Sequence, residues 1–153
     1  MSHFDCHNDI IYLIRHLNKL LQNDFDERIA KYDLTGQQAR LLFYINRMTN
    51  IENIEVHQND IEREFHLAKS TVNGLISRLE KKEFIVKTIQ NKYSILNITE
   101  KGISMIEELK EGRKDTIDRL FKGFSEEEKQ LSISKLNILL DNFTGGNEDV
   151  AKN

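Results

Sequence analysis

Between residues 67 and 98 the apolar period of the chain changes once, and nothing else in the sequence restricts the fold as tightly. Over 67–82, Val72, Leu75, Ile76 and Leu79 fall at i, i+3, i+4 and i+7, the stripe of an amphipathic helix. After Glu83 the period drops to 2. Phe84–Ile89 is a β-rich run, Gln90-Asn91-Lys92 a turn, and Tyr93–Ile98 alternates, with Tyr93, Ile95 and Asn97 on one side and Leu96 and Ile98 towards the core. A two-stranded hairpin is marginal alone and needs an apolar surface to pack on. The stripe of the helix just before it, and the helices upstream, supply that surface.

The opposite face of the same helix carries Ser70, Thr71, Asn73, Gly74, Ser77, Arg78 and Lys81, with no acid until Glu80. Small hydroxyls and amides let a backbone approach a partner and hydrogen-bond phosphates or base edges. An ordinary solvated surface is the alternative, and the flanks weigh against it. Gln58–Phe65 reads as a short helix with Ile61 and Phe65 at i and i+4, joined to the next by the brief His66-Leu67 connection. A short helix, a tight turn, a polar-faced second helix and a hairpin with a cationic tip make a winged helix-turn-helix. The second helix can enter a major groove while Gln90, Asn91 and Lys92 reach phosphate or the adjacent minor groove. Gln58 and Asn59, opening the short helix, can bind phosphate or serve only as caps.

Charge agrees once its distribution is considered. Residues 68–92 hold six bases against two acids, a net +4 in a chain whose formal charge is −3, so the remainder carries −7. A basic segment in an acidic body limits indiscriminate binding to nucleic acid.

Upstream, residues from about Asp5 to Lys31 read as one long helix, with Ile10, Ile14, Leu17, Leu21 and Phe25 as a seam and Leu13 and Leu20 widening it. An apolar arc this broad calls for more than one neighbour, in this chain or another. Thr35 with Gln38 fits a capping box opening a second helix to about Met48, with Ala39, Leu42, Phe43 and Asn46 at helical spacing. An irregular segment follows, with a short strand around Ile54–Val56. Downstream, Thr99 caps a helix through Ile103, Ile106 and Leu109 to about Phe121, where Gly112 permits a bend and Gly123 a stop. Ser125–Glu128 is a second capping box opening a last helix that Gly145-Gly146 end. Proline is absent, so long helices are unobstructed. The fold class is mainly α (α+β).

Other functions find little support. No apolar run approaches the roughly 20 residues that span a bilayer, and the first residues show no basic n-region followed by an apolar h-region, so secretion by a signal peptide is not expected. With Cys6 as the one cysteine, no intramolecular disulfide can form, which suits a cytoplasmic protein. His3, His7, His16, His57 and His66 are scattered and do not make a metal site. No nucleophile elbow, phosphate loop or paired catalytic carboxylate is present, so neither an enzyme nor a cofactor is expected.

The order of elements resembles the MarR (multiple antibiotic resistance regulator) family. The resemblance is carried by Asp33-Leu-Thr35, Gln58-Asn-Asp-Ile61, Lys69-Ser-Thr-Val-Asn73, Arg78-Leu-Glu-Lys-Lys82 and Ile98-Thr-Glu-Lys-Gly102, and it covers nearly the whole chain. Tyr12-Leu13, Arg15, Gln58–Ile61 and Leu79–Lys82 also look like the branch that regulates multidrug efflux. The resemblance implies a single domain over 1–153, with dimerisation helices at 5–32 and 100–144 and a winged-helix lobe at 35–99. It implies a homodimer on a pseudo-palindromic double-stranded DNA operator, its two recognition helices roughly 34 Å apart. It further implies repression relieved by a small amphipathic or phenolic effector.

The expected DNA contacts are Gln58, Asn59, Lys69, Ser70, Thr71, Asn73, Ser77, Arg78, Lys81, Lys87, Gln90, Asn91 and Lys92. Tyr12, Arg15 and His16 are the candidate effector contacts, with dimer or surface contacts as the alternative. Three departures from the family pattern stand out. Ala68 replaces the usual hydroxyl cap of the recognition helix. The wing is shorter. Its customary Asp-x-Arg is Gln90-Asn91-Lys92, and lysine meets phosphate as a point charge without a bidentate fork. Two other readings remain: a winged-helix module that binds protein, and a redox-responsive regulator using Cys6, although the first-helix cysteine of peroxide-sensing relatives would align nearer Ile11.

Overall fold

The structure, a computed structural model, describes residues 8–145. The chain forms two compact units, one ending at Lys114 and one beginning at Asp115.

In the first unit, α1 spans Ile10–Ala30, α2 Gly36–Asn46, a π-helical turn Arg47–Ile51, β1 Val56–His57, α3 Gln58–Phe65, α4 Lys69–Lys81, β2 Ile85–Gln90 and β3 Tyr93–Ile98. Helix α5 spans Glu100–Leu120. The strands form one antiparallel sheet in the order β1-β3-β2. Leu96 pairs with both Lys87 and Val56, and Ile95 with both Thr88 and His57. The winged helix is thus present with a third short strand, displaced by about one residue from the run expected at Ile54–Val56.

Local chemistry explains the boundaries. Helix α1 begins at Ile10 rather than near Asp5, because Asp9 is extended and its carboxylate accepts the Ile11 and Tyr12 N–H groups. At α2, Thr35 Oγ1 accepts the Gln38 N–H and Gln38 Oε1 accepts the Thr35 N–H, the reciprocal cap expected there. The helical path then runs past Met48 as the π turn. Three helices end on non-glycine residues in the left-handed region: Asp33 (φ 54°), His66 (φ 52°) and Glu83 (φ 62°). Each forms the same double bond pattern at a helix C-terminus. After α4, the Glu83 N–H donates to Glu80 O and the Phe84 N–H to Leu79 O. After α3, the His66 and Leu67 N–H groups donate to Arg63 O and Glu62 O, so His66 occupies the helix-turn-helix corner where glycine is common.

The core gathers Ile29 and Leu34 with Leu41, Leu42 and Ile45 of α2, Ile61 of α3, the α4 stripe and Leu96. Val72, Leu75, Ile76 and Leu79 are all buried, as their spacing predicts. In α2 the buried set includes Leu41 and Ile45, whereas Phe43 and Asn46 are only half-buried. Ile95 is buried together with Leu96, not left on the open face with Tyr93 and Asn97. Its face of the hairpin forms the floor of an open groove of about 340 Å³ whose other side is Thr49, Asn53, Ile54 and Glu55.

Where α5 meets the base of the hairpin, Thr99 Oγ1 accepts the Gly102 N–H at 3.1 Å, and its hydroxyl lies 2.6 Å from Glu83 O. A Cβ on Gly102 would lie 2.5 Å from the Phe84 carbonyl oxygen and 2.6 Å from Ile98 Cγ1, so only glycine fits without a shift. Gly112 is constrained less strictly: a Cβ there would meet the Arg28 guanidinium at 2.5 Å, the far end of a flexible side chain rather than backbone.

The second unit contains the end of α5 and α6, Glu126–Thr144. Gly123 is left-handed at φ 88°, Ser125 and Glu128 form the expected capping box, and Gly145 closes α6 at φ 68°. Leu131, Leu136, Leu139, Leu140 and Phe143 are exposed, Phe143 at 96%. Among the described residues no helix is long and apolar enough to cross a membrane. Cys6, His3, His7 and Gly146 lie outside the described residues.

Candidate nucleic-acid interface

Burying one side of α4 fixes what the other side presents. Lys69, Ser70, Thr71, Asn73, Ser77, Arg78 and Lys81 are all exposed. Ala68 is extended and contributes no side-chain cap, so the first α4 amides have no acceptor from a capping side chain.

Helix α3 is fixed to α4 through its first residue. Gln58 Nε2 lies 2.6 Å from Asn73 Oδ1 and 3.3 Å from Glu62 Oε1. Asp60 Oδ2 accepts the His57 N–H at 2.8 Å and Asp60 also pairs with Arg63, so the α3 N-terminus already has an internal carboxylate acceptor. That carboxylate makes the α3 N-terminus a poorer phosphate site than its sequence alone suggests. Asn59 is exposed beside it.

The wing ends in a two-residue turn, with Asn91 at φ 47° and Lys92 at φ 69°, the paired positive φ values of a hairpin turn that follows the strand twist. Gln90 is therefore not in the turn: it ends β2, paired with Tyr93. Lys87 shares a strand face with buried Ile85 and with Ile89, which is 75% exposed, so the wing carries an apolar side chain close to its cationic tip. The sheet braces the wing from behind, where the His57 ring packs edge-on against Tyr93 at 5.5 Å and His57 Nε2 meets Glu55 Oε1 at 2.8 Å.

Not every base in the segment faces outwards. Lys82 Nζ reaches the Asp33 carboxylate at 3.1 Å and also meets the Asp33 carbonyl, joining the end of α4 to the corner after α1. Lys101 Nζ donates to Lys82 O at 2.8 Å and lies over the Phe84 ring. Both are structural cations.

Tyr12, Arg15 and His16 lie together on α1, all exposed, with the Tyr12 and His16 rings stacked at 5.7 Å. None of them lines the groove beside the wing. Sequence reasoning missed Glu62, Asp60 and His66. The i, i+4 spacing of Gln58 and Glu62 was the available signal for the first.

Residues 32–91 match the MarR family model. The chain is 27% identical over 147 residues to the HTH-type transcriptional regulator BilQ of Clostridioides difficile strain CD3, covering 94% of this chain and 95% of that one. Among solved structures it is similar to MepR, a transcription regulator of the Staphylococcus aureus multidrug efflux pump MepA, with a TM-score of 0.77 at 23% identity, covering 88% of this chain and 98% of that one. The S. aureus MepR–DNA complex matches at a TM-score of 0.64 and 23% identity over the same shares. The stretch that builds the winged-helix lobe, residues 32–91, is thus the part of the chain that is similar to the MarR family.

Proposed function

We propose that this chain is a homodimeric, cytoplasmic, ligand-responsive repressor that inserts α4 into the major groove of a pseudo-palindromic operator. The observation that carries the reading is the exposed face of α4: three hydroxyls, an amide and three cations on the side opposite a fully buried apolar stripe. Hydroxyls and amides suit base edges and phosphates, and cations suit phosphates. The wing tip, with Lys92 and no arginine, serves mainly to anchor phosphate. MepR, of similar fold, has been solved with DNA, which supports this use of the lobe.

Dimerisation is supported by apolar side chains left uncovered in one chain. On α1 these are Ile10, Ile14, Leu17 and Leu20, and on α6 Leu136, Leu140 and Phe143. Large apolar side chains left exposed at helical spacing along each helix mark an interaction site. Tyr12, Arg15 and His16 offer two aromatic rings and a cation to a phenolic or anionic effector, and MepR's regulation of a multidrug pump favours a drug-like one.

A gel shift with the DNA upstream of the chain's own gene tests the reading. Sequence-specific, salt-sensitive binding that is lost in Arg78→Ala is expected. Absence of binding to any upstream fragment at low salt would refute it and favour a protein-binding module.

A further inference from the structure

The bond between Gln58 and Asn73 bears on what the recognition helix reads, and the inference rests on the proposed insertion of α4 into DNA. Gln58 opens α3 and Asn73 lies in the second turn of α4. One nitrogen, Gln58 Nε2, donates both to Glu62 Oε1 at 3.3 Å and to Asn73 Oδ1 at 2.6 Å. A carboxylate only accepts, so the Gln58 group beside Glu62 must be its NH2. The Asn73 group facing that NH2 must then be its carbonyl. An isolated side-chain amide has two nearly equivalent orientations. Here Glu62, one turn after Gln58 on the same helix, sets the polarity of both.

Gln58 occupies one lone pair of Asn73 Oδ1. The second lone pair and both Nδ2 hydrogens remain for a partner, and no other described residue bonds the Asn73 side chain. An acceptor and a donor side by side match adenine, whose N6 donates and whose N7 accepts. Guanine offers two acceptors on its major-groove edge, cytosine one donor, and thymine one acceptor beside a methyl group. We propose that Gln58, held by Glu62, is a positioning residue that presets Asn73 to read one adenine in each half-site.

Selection from a randomised duplex library tests this, using the full-length wild type, Asn73→Ala, Gln58→Ala and Gln58→Glu. Asn73→Ala identifies the base pair that depends on Asn73. At that pair the wild type should prefer adenine by about fivefold or more, the lower end of discrimination by a bidentate contact. In Gln58→Glu a carboxylate faces Asn73, turns its NH2 towards α3 and reverses the amide. The adenine preference should then fall to about twofold or less, while other positions keep theirs. Gln58→Ala, which frees the amide without reversing it, should fall between the two. A wild type that prefers guanine, cytosine or thymine there would overturn the proposal. So would an Asn73→Ala that relaxes no position, a Gln58→Glu that keeps the full preference, or variants at Gln58 that relax every position alike. A wild type that selects no sequence at all refutes DNA reading by α4 itself, and the proposal with it.

Discussion

The distribution of cations over the lobe sets how steeply DNA binding should fall with salt. Lys69, Arg78 and Lys81 lie on the exposed side of α4, and Lys87 and Lys92 on the wing. Among the described residues none of these five forms an ion pair, whereas Lys82 and Lys101 face Asp33 and Glu83 at 3.1 and 3.9 Å. Each phosphate neutralised adds about −0.9 to the slope of log K against log salt, so five contacts give about −4.5 per lobe and about −9 for a dimer. Between about 50 and 200 mM salt the affinity should then drop by about 10⁵-fold. Fluorescence anisotropy of a labelled operator duplex over that range measures the slope directly. Lys92→Ala, which alters both lobes, should flatten it by about 1.8, and Lys101→Ala should leave it unchanged. A wild-type slope shallower than about −2, or equal flattening by the two variants, would refute the assignment of these cations to phosphate.

Three further outcomes follow from local geometry. Gly102→Ala drives a Cβ to within 2.5 Å of the Phe84 carbonyl oxygen and should cost about 1–3 kcal/mol, read as a lower urea midpoint at unchanged m. Ala68→Ser supplies the missing cap of α4 and should add about 1 kcal/mol, seen as a higher melting temperature; no gain would show that the backbone at 68 cannot use a hydroxyl. Burial and the neighbouring Glu108 carboxylate, which accepts the Tyr32 hydroxyl, push the Tyr32 pKa up from 10.0 to about 12. The folded state therefore holds that proton more tightly, and the associated stability is complete below pH 10 and lost as pH rises through 12. Tyr32 is partly open to solvent, so the loss is discounted to about 1 kcal/mol. Chemical denaturation across that window should show the loss in the wild type and not in Tyr32→Phe.

Much of the lobe was legible because its determinants are local. The Val72–Leu79 stripe, the period change after Glu83, and the Thr35 and Ser125 boxes each depend on residues a few positions apart, and each forms the expected element. Determinants that depend on tertiary approach were not legible. Gly112 reads as a possible bend, yet its bare Cα is where Arg28 lies. Ile95 reads as open-face, but the groove segment around Ile54 lies against that face. Lys82 reads as one base among six, and only the fold brings Asp33 to it across 49 residues. The non-glycine corners were missed for a different reason: propensity assigns left-handed positions to glycine, and neither His66 nor Glu83 signals one. In the candidate interface, the exposed α4 residues followed from the helix face alone. The Glu62–Gln58–Asn73 chain needed two helices in register.

The two ends of α4 also differ in how they should move. At the C-terminal end, two backbone bonds and the buried Phe84 and Leu79 hold the last turn. At the other end Ala68 offers nothing to the first amides. Amide hydrogen exchange should therefore be graded along the helix. The amides of Lys69 to Thr71 should exchange through small local openings, and those near Leu79 only through opening of the whole lobe. Ser70 and Thr71, two of the proposed DNA contacts, would then sit on a turn free to adjust, while Arg78 is carried by a turn that stays still.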